Sequence, residues 1–215
     1  MRRICYFLFY VVAVAVFSGY VAIAIAADPP RQVLLILDAS GSMWGQIGGK
    51  AKIAIAKEVM SDLIQQLPSD LQVALMVYGH RHKDDCEGVE VMFPFEPLDR
   101  NQLVAGIHAI RPKGKTPIAH SISLAADEIK KTGQGGTIIL VSDGEETCDG
   151  DPCKLVGDLR AAGLDVIMHV VGFGVKGVAS EQLGCIAKAG GGTYAEAADA
   201  GKLKAALAGA LKKNL

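Results

Sequence analysis

Apolar residues along the chain form short continuous runs that alternate with longer stretches of helical spacing. The nearly uninterrupted apolar runs, typical of strands buried on both faces, are 33–37, 71–78, 137–141 and 164–172, with a further short strand near Thr193 and Tyr194. Amphipathic helical spacing is found at 51–67, 103–110, 117–129, 152–162, 181–189 and 202–213. Strands that alternate with helices in this way predict βαβ units.

One strand breaks the alternation. From Val89 to Phe95, apolar and polar residues alternate, which is typical of a half-exposed strand at the edge of a sheet. The short connection at 80–88 favours a hairpin, so this strand should run antiparallel to its neighbour. The pattern therefore predicts an α/β fold: a single doubly wound, mostly parallel sheet with one antiparallel edge strand and helices on both faces.

The N-terminus differs from the rest of the chain. Arg2 and Arg3 precede an uncharged apolar stretch that extends to Ala26 and ends in small residues at the spacing that a signal peptidase reads. The stretch is also long enough to span a bilayer, for which about 20 residues suffice. Residues 1–26 are thus predicted to be a signal peptide or an uncleaved membrane anchor, and residues 28–215 to be one exported domain. The expected location is periplasmic or secreted, with anchoring in the inner membrane as the alternative.

Charge and cysteine content narrow the function further. The chain has 22 basic and 23 acidic residues, so it lacks the basic excess expected of a nucleic-acid-binding protein. Four cysteines follow the leader, and an even number in an oxidising compartment predicts disulfides. These are Cys86, Cys148, Cys153 and Cys185. Three disulfide connectivities are open for four cysteines, and the short spacing between Cys148 and Cys153 favours a local bridge between these two.

Polar residues with oxygen side chains follow two of the predicted strands. Asp38, Ser40 and Ser42 come after the first strand, and Asp143 follows the strand at 137–141. Thr116 lies in the loop between them. Doubly wound sheets bind ligands at the carboxyl ends of their strands, so we expect these two carboxylates and three hydroxyls to converge. Such ligands suit a hard divalent cation, Mg²⁺ in the first place and Mn²⁺ or Ca²⁺ as alternatives.

The motif Asp38-x-Ser40-x-Ser42, with Thr116 before a proline and Asp143 before a glycine, resembles the metal-ion-dependent adhesion site (MIDAS) of von Willebrand factor type A domains. The resemblance covers the chain after the leader and implies a Rossmann-like fold. Within the family, the chain resembles bacterial exported members. It implies that both serines bind the cation directly, that Thr116 binds directly or through water, and that the aspartates act largely through waters. An open coordination position would then accept an Asp or Glu carboxylate of a partner protein.

An enzymatic role is the weaker hypothesis. Aspartyl-nucleophile phosphatases need a second aspartate where this chain has Ser40, and the chain has no Gly-x-Ser-x-Gly elbow. We therefore predict a protein-binding module and no enzyme. The alternatives are a hydrolase that uses the same cation to activate water, and a structural subunit in which the cation only ties loops together.

Several other residues admit two interpretations. Ser40, Ser42 and Thr116 could be helix caps, but all five positions match the motif together, which favours the metal site. His80 and His82 are predicted to lie at a solvated hairpin tip rather than to bind a transition metal. Trp44, the only tryptophan, is either an exposed recognition residue or a lid on the sheet edge.

Overall fold

The apolar runs form the strands of one central sheet in the computed structural model of the chain, which describes residues 32–97 and 99–212. The strands are β1 (Gln32–Asp38), β2 (Gln46–Ile47), β3 (Lys50–Ala51), β4 (Gln72–Tyr78), β5 (Val89–Pro97), β6 (Gly136–Ser142), β7 (Val166–Phe173) and β8 (Gly191–Ala197). The helices are α1 (Lys52–Ile64), α2 (Arg100–Ala109), α3 (Ile118–Thr132), α4 (Pro152–Ala161), α5 (Val178–Ala189) and α6 (Ala200–Lys212), and a short 3-10 helix covers Gly41–Trp44.

The sheet has the strand order β5-β4-β1-β6-β7-β8, and β2 and β3 form a separate small hairpin. Every pairing in the large sheet is parallel except that of β4 with the edge strand β5. The predicted fold class is therefore confirmed, including the antiparallel edge strand. The leader predicted at 1–26 lies outside the described residues. Among the residues that are described, no helix has the length and apolar character needed to cross a membrane.

Two apolar layers, one on each face of the sheet, form the core. In β1, Val33, Leu35 and Leu37 pack in the layer that contains α1, α2 and α6, while Leu34 and Ile36 pack with α3, α4 and α5. Burial of each such side chain stabilises the fold by about 1.5–3 kcal/mol. Because both faces of β1 are covered, its sequence is a continuous apolar run rather than an alternating one.

The winding of the chain leaves a crevice beside β1. This strand is followed by α1 on one face of the sheet, and the neighbouring β6 is followed by α4 on the opposite face. The loops after these adjacent strands consequently separate, which is the point where doubly wound sheets bind their ligands. Asp38 and Asp143 lie at these two strand ends.

All six helices begin within three residues of their predicted starts, and the start of α3 bears on the role of Thr116. Helix α3 begins at Ile118 with Pro117 as its N-cap, so Thr116 is not a helix cap. Its backbone instead pairs with the loop after β6: the Thr116 N–H donates to the Thr147 hydroxyl at 2.8 Å, and the Thr147 N–H donates to the Thr116 carbonyl at 3.2 Å. Thr116 therefore stays in a loop at the edge of the sheet.

The prediction of a local disulfide between Cys148 and Cys153 is wrong. Cys148 pairs with Cys86, and Cys153 pairs with Cys185. The reason is tertiary: Cys153 lies in α4, which packs along α5 where Cys185 is found, whereas Cys148 lies in the loop after β6, next to the connection between β4 and β5. Closeness in sequence predicted the wrong partner because the packing of α4 on α5 and of the two loops brings each cysteine to a distant one.

The two disulfides close segments with sequence separations of 62 and 32 residues. In the chain-entropy treatment each constrains the unfolded chain by roughly 4 kcal/mol. We expect the double variant Cys86→Ser/Cys148→Ser to lose about 2–4 kcal/mol of unfolding free energy in urea titrations. The matched variant Cys153→Ser/Cys185→Ser should lose a similar or slightly smaller amount. A non-reducing peptide map that joins Cys148 to Cys153 would contradict both pairings.

Candidate metal centre

The carboxylate of Asp38 lies at the centre of the polar network at the end of β1, with no exposure to solvent. Its Oδ1 accepts a hydrogen bond from the Ser40 N–H at 2.7 Å. Its Oδ2 accepts from the Tyr78 hydroxyl at 2.9 Å, from the Ser142 hydroxyl at 2.7 Å and from the Asp143 N–H at 3.4 Å. Donors from the ends of β4 and β6 and from the loop after β1 thus hold one side chain in place.

Two serine hydroxyls lie above this carboxylate. The Ser42 hydroxyl donates to Oδ1 of Asp143 at 2.5 Å, and it accepts a hydrogen bond from the Ser40 hydroxyl at 2.9 Å. A hydroxyl that donates its proton to a carboxylate keeps its lone pairs for another partner. Neighbouring ligands of an octahedral Mg²⁺ with bonds of 2.0–2.1 Å are about 2.9 Å apart. The chemistry and spacing of these oxygens therefore fit a small divalent cation.

Close backbone contacts bring a third loop to the two serines. Gly114 forms a parallel bridge with Ser40, and its N–H donates to the Gly79 carbonyl at 2.7 Å. Gly79 has φ of +73°, and a Cβ on it would lie 2.7 Å from the Ser40 nitrogen. A side chain on Gly114 would lie 2.2 Å from the His82 carbonyl oxygen. Only glycine allows these loops to approach so closely.

The three loops enclose an open cleft of about 320 Å³ at the carboxyl edge of the sheet. Thr116, which is 5% exposed, lines this cleft together with both serines. The lining residues are Ser40, Gly41, Ser42, Gly114, Lys115, Thr116, Gly144, Glu145 and Thr147. The cleft therefore presents hydroxyl oxygens, with one lysine and one glutamate at its border.

Comparison with known proteins identifies the family. The family model of the von Willebrand factor type A domain matches residues 33–146. The uncharacterized protein YwmD of Bacillus subtilis is 32% identical over 183 residues, which cover 81% of this chain and 82% of that protein. This chain belongs to the von Willebrand factor type A domain family. Domains of this family are protein-interaction modules.

Solved structures share the type A fold. A von Willebrand factor type A protein from Catenulispora acidiphila has a TM-score of 0.66 and 21% identity, covering 81% of this chain and 40% of that one. Proximal thread matrix protein 1 from the mussel byssus, solved with zinc in its MIDAS motif, has a TM-score of 0.65 and 19% identity, covering 85% and 45%. The chain thus spans less than half the length of these solved proteins.

In this type A domain, four of the five residues predicted from the motif share one hydrogen-bond network, and the fifth lines the same cleft. Asp38, Ser40, Ser42 and Asp143 are linked directly or through one intervening group, while Thr116 adjoins them across the cleft.

Three other members of the network had not been predicted as site residues. Tyr78 is the register partner of Asp38 on β4, and Ser142 immediately precedes Asp143, so strand register provides a signal for both. The third, Lys52, donates from Nζ to Oδ2 of Asp143 at 2.9 Å. It is the first residue of α1, where no motif marks it.

The other candidate residues of the sequence do not form a second centre. His80 pairs with Glu90 at 2.9 Å, and in residues 32–97 and 99–212 no group of three or more His, Cys, Asp or Glu side chains is placed to hold a metal ion. Trp44 is 54% exposed, and its indole N–H donates to the Pro112 carbonyl at 3.0 Å. The ring is therefore a fixed, exposed aromatic group rather than a buried lid.

Burial dominates the electrostatics of the network. Burial, followed by the neighbouring charge of Asp143, raises the pKa of Asp38 above its ordinary value of 3.8. Burial and the charge of Asp38 also raise the pKa of Tyr78 well above 10.0. Tyr78 therefore stays protonated and acts as a hydrogen-bond donor, while ionised Asp38 carries a desolvation cost at neutral pH.

This raised pKa predicts a pH-dependent stability difference. In the folded state Asp38 binds its proton more tightly than in the unfolded state, so its contribution to stability is lost as pH rises through the folded pKa. Asp38→Asn cannot ionise, so its melting temperature relative to the parent should increase between about pH 4 and about pH 7. The measurement is thermal unfolding in a chelating buffer, with the exposed Asp62→Asn as control. A difference that stays constant with pH would contradict the raised pKa.

Proposed function

We propose that this type A domain is an exported protein-binding module that docks a carboxylate of its partner on a divalent cation. One observation carries the proposal: the hydroxyls of Ser40 and Ser42 converge in an open cleft above two buried carboxylates. Their separation of 2.9 Å is compatible with neighbouring ligands of an octahedral Mg²⁺. Mg²⁺ is the proposed cation, with Mn²⁺ and Ca²⁺ as alternatives. The zinc in the mussel relative supports a divalent ion in a site of this type.

The residues of the network take different roles in this proposal. Ser40 and Ser42 hold the cation directly through their oxygens, and Thr116 holds it directly or through water. Asp38 and Asp143 orient the serines and waters by accepting their hydrogen bonds. When bound, the cation supplies an electrophilic position for an Asp or Glu side chain from outside. Mg²⁺ keeps exchangeable waters that such a carboxylate can displace.

Two observations support export. The sequence begins with Arg2 and Arg3 followed by an uncharged apolar stretch, which is typical of a signal peptide or membrane anchor. The domain also has two disulfides, which persist in oxidising compartments. We therefore place residues 28–215 in the periplasm or outside the cell. The partner surface would include Trp44, whose exposed ring lies two residues after Ser42.

Neither aspartate of the network is free to act as the general base of a hydrolytic reaction at the same cation. The Asp38 carboxylate is saturated by four donors, and Asp143 is bonded by Ser42 and Lys52. The raised pKa of Tyr78 keeps its hydroxyl protonated. Binding thus accounts for the arrangement better than catalysis does.

Cation binding to the folded state must raise the melting temperature. At a Mg²⁺ concentration about a hundredfold above Kd, the gain is about 2.7 kcal/mol, or about 5–10 °C for a domain of this size. We expect this saturable rise in the metal-stripped parent and its absence in Asp38→Ala, as measured by thermal unfolding. Asp62→Ala, which removes an exposed carboxylate, should respond like the parent.

The outcomes of this titration are distinct. Flat curves for the parent with Mg²⁺, Mn²⁺ and Ca²⁺ would overturn the proposed cation. An equal rise in the parent and in Asp38→Ala would show that the cation binds elsewhere. If the parent binds the cation, the single tryptophan at position 44 provides a fluorescence signal for screening carboxylate-bearing partner proteins.

A further inference from the structure

Lys52 places a positive charge directly behind the proposed cation site. Its backbone N–H donates to the Gly45 carbonyl at 2.8 Å, which fixes the start of α1 next to the loop after β1. Its Nζ donates to Oδ2 of Asp143 at 2.9 Å and approaches the Gly174 carbonyl at 3.4 Å. The side chain of Lys52 is 14% exposed and that of Asp143 is fully buried, so solvent screens this ion pair weakly.

The two carboxylates of the site are stabilised in different ways. Asp38 receives all of its hydrogen bonds from uncharged donors. Asp143 receives the Ser42 hydroxyl on one oxygen and the Lys52 ammonium on the other. Within residues 32–97 and 99–212, Lys52 is the only cationic side chain bonded to either aspartate. Lys115 and Glu145, which carry opposite charges, also line the cleft, and neither is bonded to Asp38 or Asp143 among the described residues.

The sum of these charges determines what the site attracts. Two carboxylates and one ammonium carry a net charge of −1, and a divalent cation changes this sum to +1. A carboxylate from a partner then brings the site to neutrality. Without the ammonium, the loaded site would already be neutral and a third carboxylate would make it negative. Charge therefore couples the affinity for the cation to the affinity for the partner's carboxylate, in opposite directions.

We propose that Lys52 keeps the cation-loaded site electropositive, so that it binds an external carboxylate more strongly while holding its cation less tightly. The proposal rests on the cation site proposed above. It assigns Lys52 as a residue that determines the preference for anionic partners. It also gives the buried ion pair between Lys52 and Asp143 a role in ligand binding.

The experiment removes the charge in two ways and measures both affinities. Lys52→Gln keeps a hydrogen-bond donor, Lys52→Met removes it, and Lys52→Arg keeps the charge. Mn²⁺ binding is measured from the electron paramagnetic resonance signal of free Mn²⁺. Acetate binding to the Mn²⁺-loaded protein is measured from the fall in water-proton relaxation as acetate displaces metal-bound water. The exposed Lys188→Met is the matched control.

The expected result is a pair of opposite shifts. In Lys52→Gln and Lys52→Met the Kd for Mn²⁺ should fall about tenfold, and the Kd for acetate should rise about tenfold. Lys52→Arg and Lys188→Met should stay close to the parent in both measurements. Loss of folding cannot produce this signature, because an unfolded or loosened site would weaken both affinities. Circular dichroism of each variant confirms that the compared proteins are folded.

The outcomes separate this inference from the proposed function. If the parent binds Mn²⁺ and acetate but the neutral variants show the same affinities, or lose both, the role of Lys52 is wrong and the cation site stands. If only the neutral variants bind Mn²⁺, Lys52 opposes the cation as inferred, while the native docking function fails. If neither the parent nor the neutral variants bind Mn²⁺, both proposals are overturned.

Discussion

The buried carboxylate of Asp38 is the constraint on which the site depends. Burying an ionised carboxylate costs several kcal/mol unless hydrogen bonds replace its water. Here four donors do so, and they come from the loop after β1 and from the ends of β4 and β6. The pKa of Asp38 is nevertheless raised, so part of the desolvation cost remains at neutral pH. The domain thus keeps a destabilised charge where its central strands end, as proteins do at functional sites.

The loops around this charge are fixed by backbone contacts. Gly79 lies too close to Ser40 for any side chain, and Gly114 lies too close to the His82 carbonyl. Thr116 is paired through its backbone with Thr147. These contacts hold the hydroxyls of Ser40 and Ser42 at a defined spacing. A preformed set of ligands lowers the entropy cost of binding. The disulfide that Cys148 makes with the connection between β4 and β5 further restricts the border of the cleft.

The site differs from a cluster of oxygen ligands alone in having an ammonium group, that of Lys52, paired with one of its two carboxylates. Two carboxylates without compensation would favour tight retention of a cation. The ammonium of Lys52 bonds the Asp143 oxygen that Ser42 leaves free, and in our proposal it reduces that preference by one charge. The Catenulispora and mussel structures share the fold at 21% and 19% identity. In this chain the fold rests on the apolar layers of the sheet rather than on such polar contacts. Small polar changes at the strand ends can therefore alter binding without altering the architecture.

The sequence by itself determined the fold class and drew attention to five residues that the structure brings together at one edge of the sheet. Continuous apolar runs mark strands buried on both faces, and the spacing of Asp38, Ser40 and Ser42 after the first run marks the carboxyl edge of the sheet, where the cation site is proposed. Both signals are local, because periodicity and strand ends are properties of neighbouring residues. Tertiary structure alone decided the partners of Cys148 and the role of Lys52. The ion pair between Lys52 and Asp143 joins residues 91 positions apart, and the disulfide between Cys86 and Cys148 joins residues 62 positions apart. Both depend on how helices and loops pack on the sheet, and no local sequence pattern contains that information.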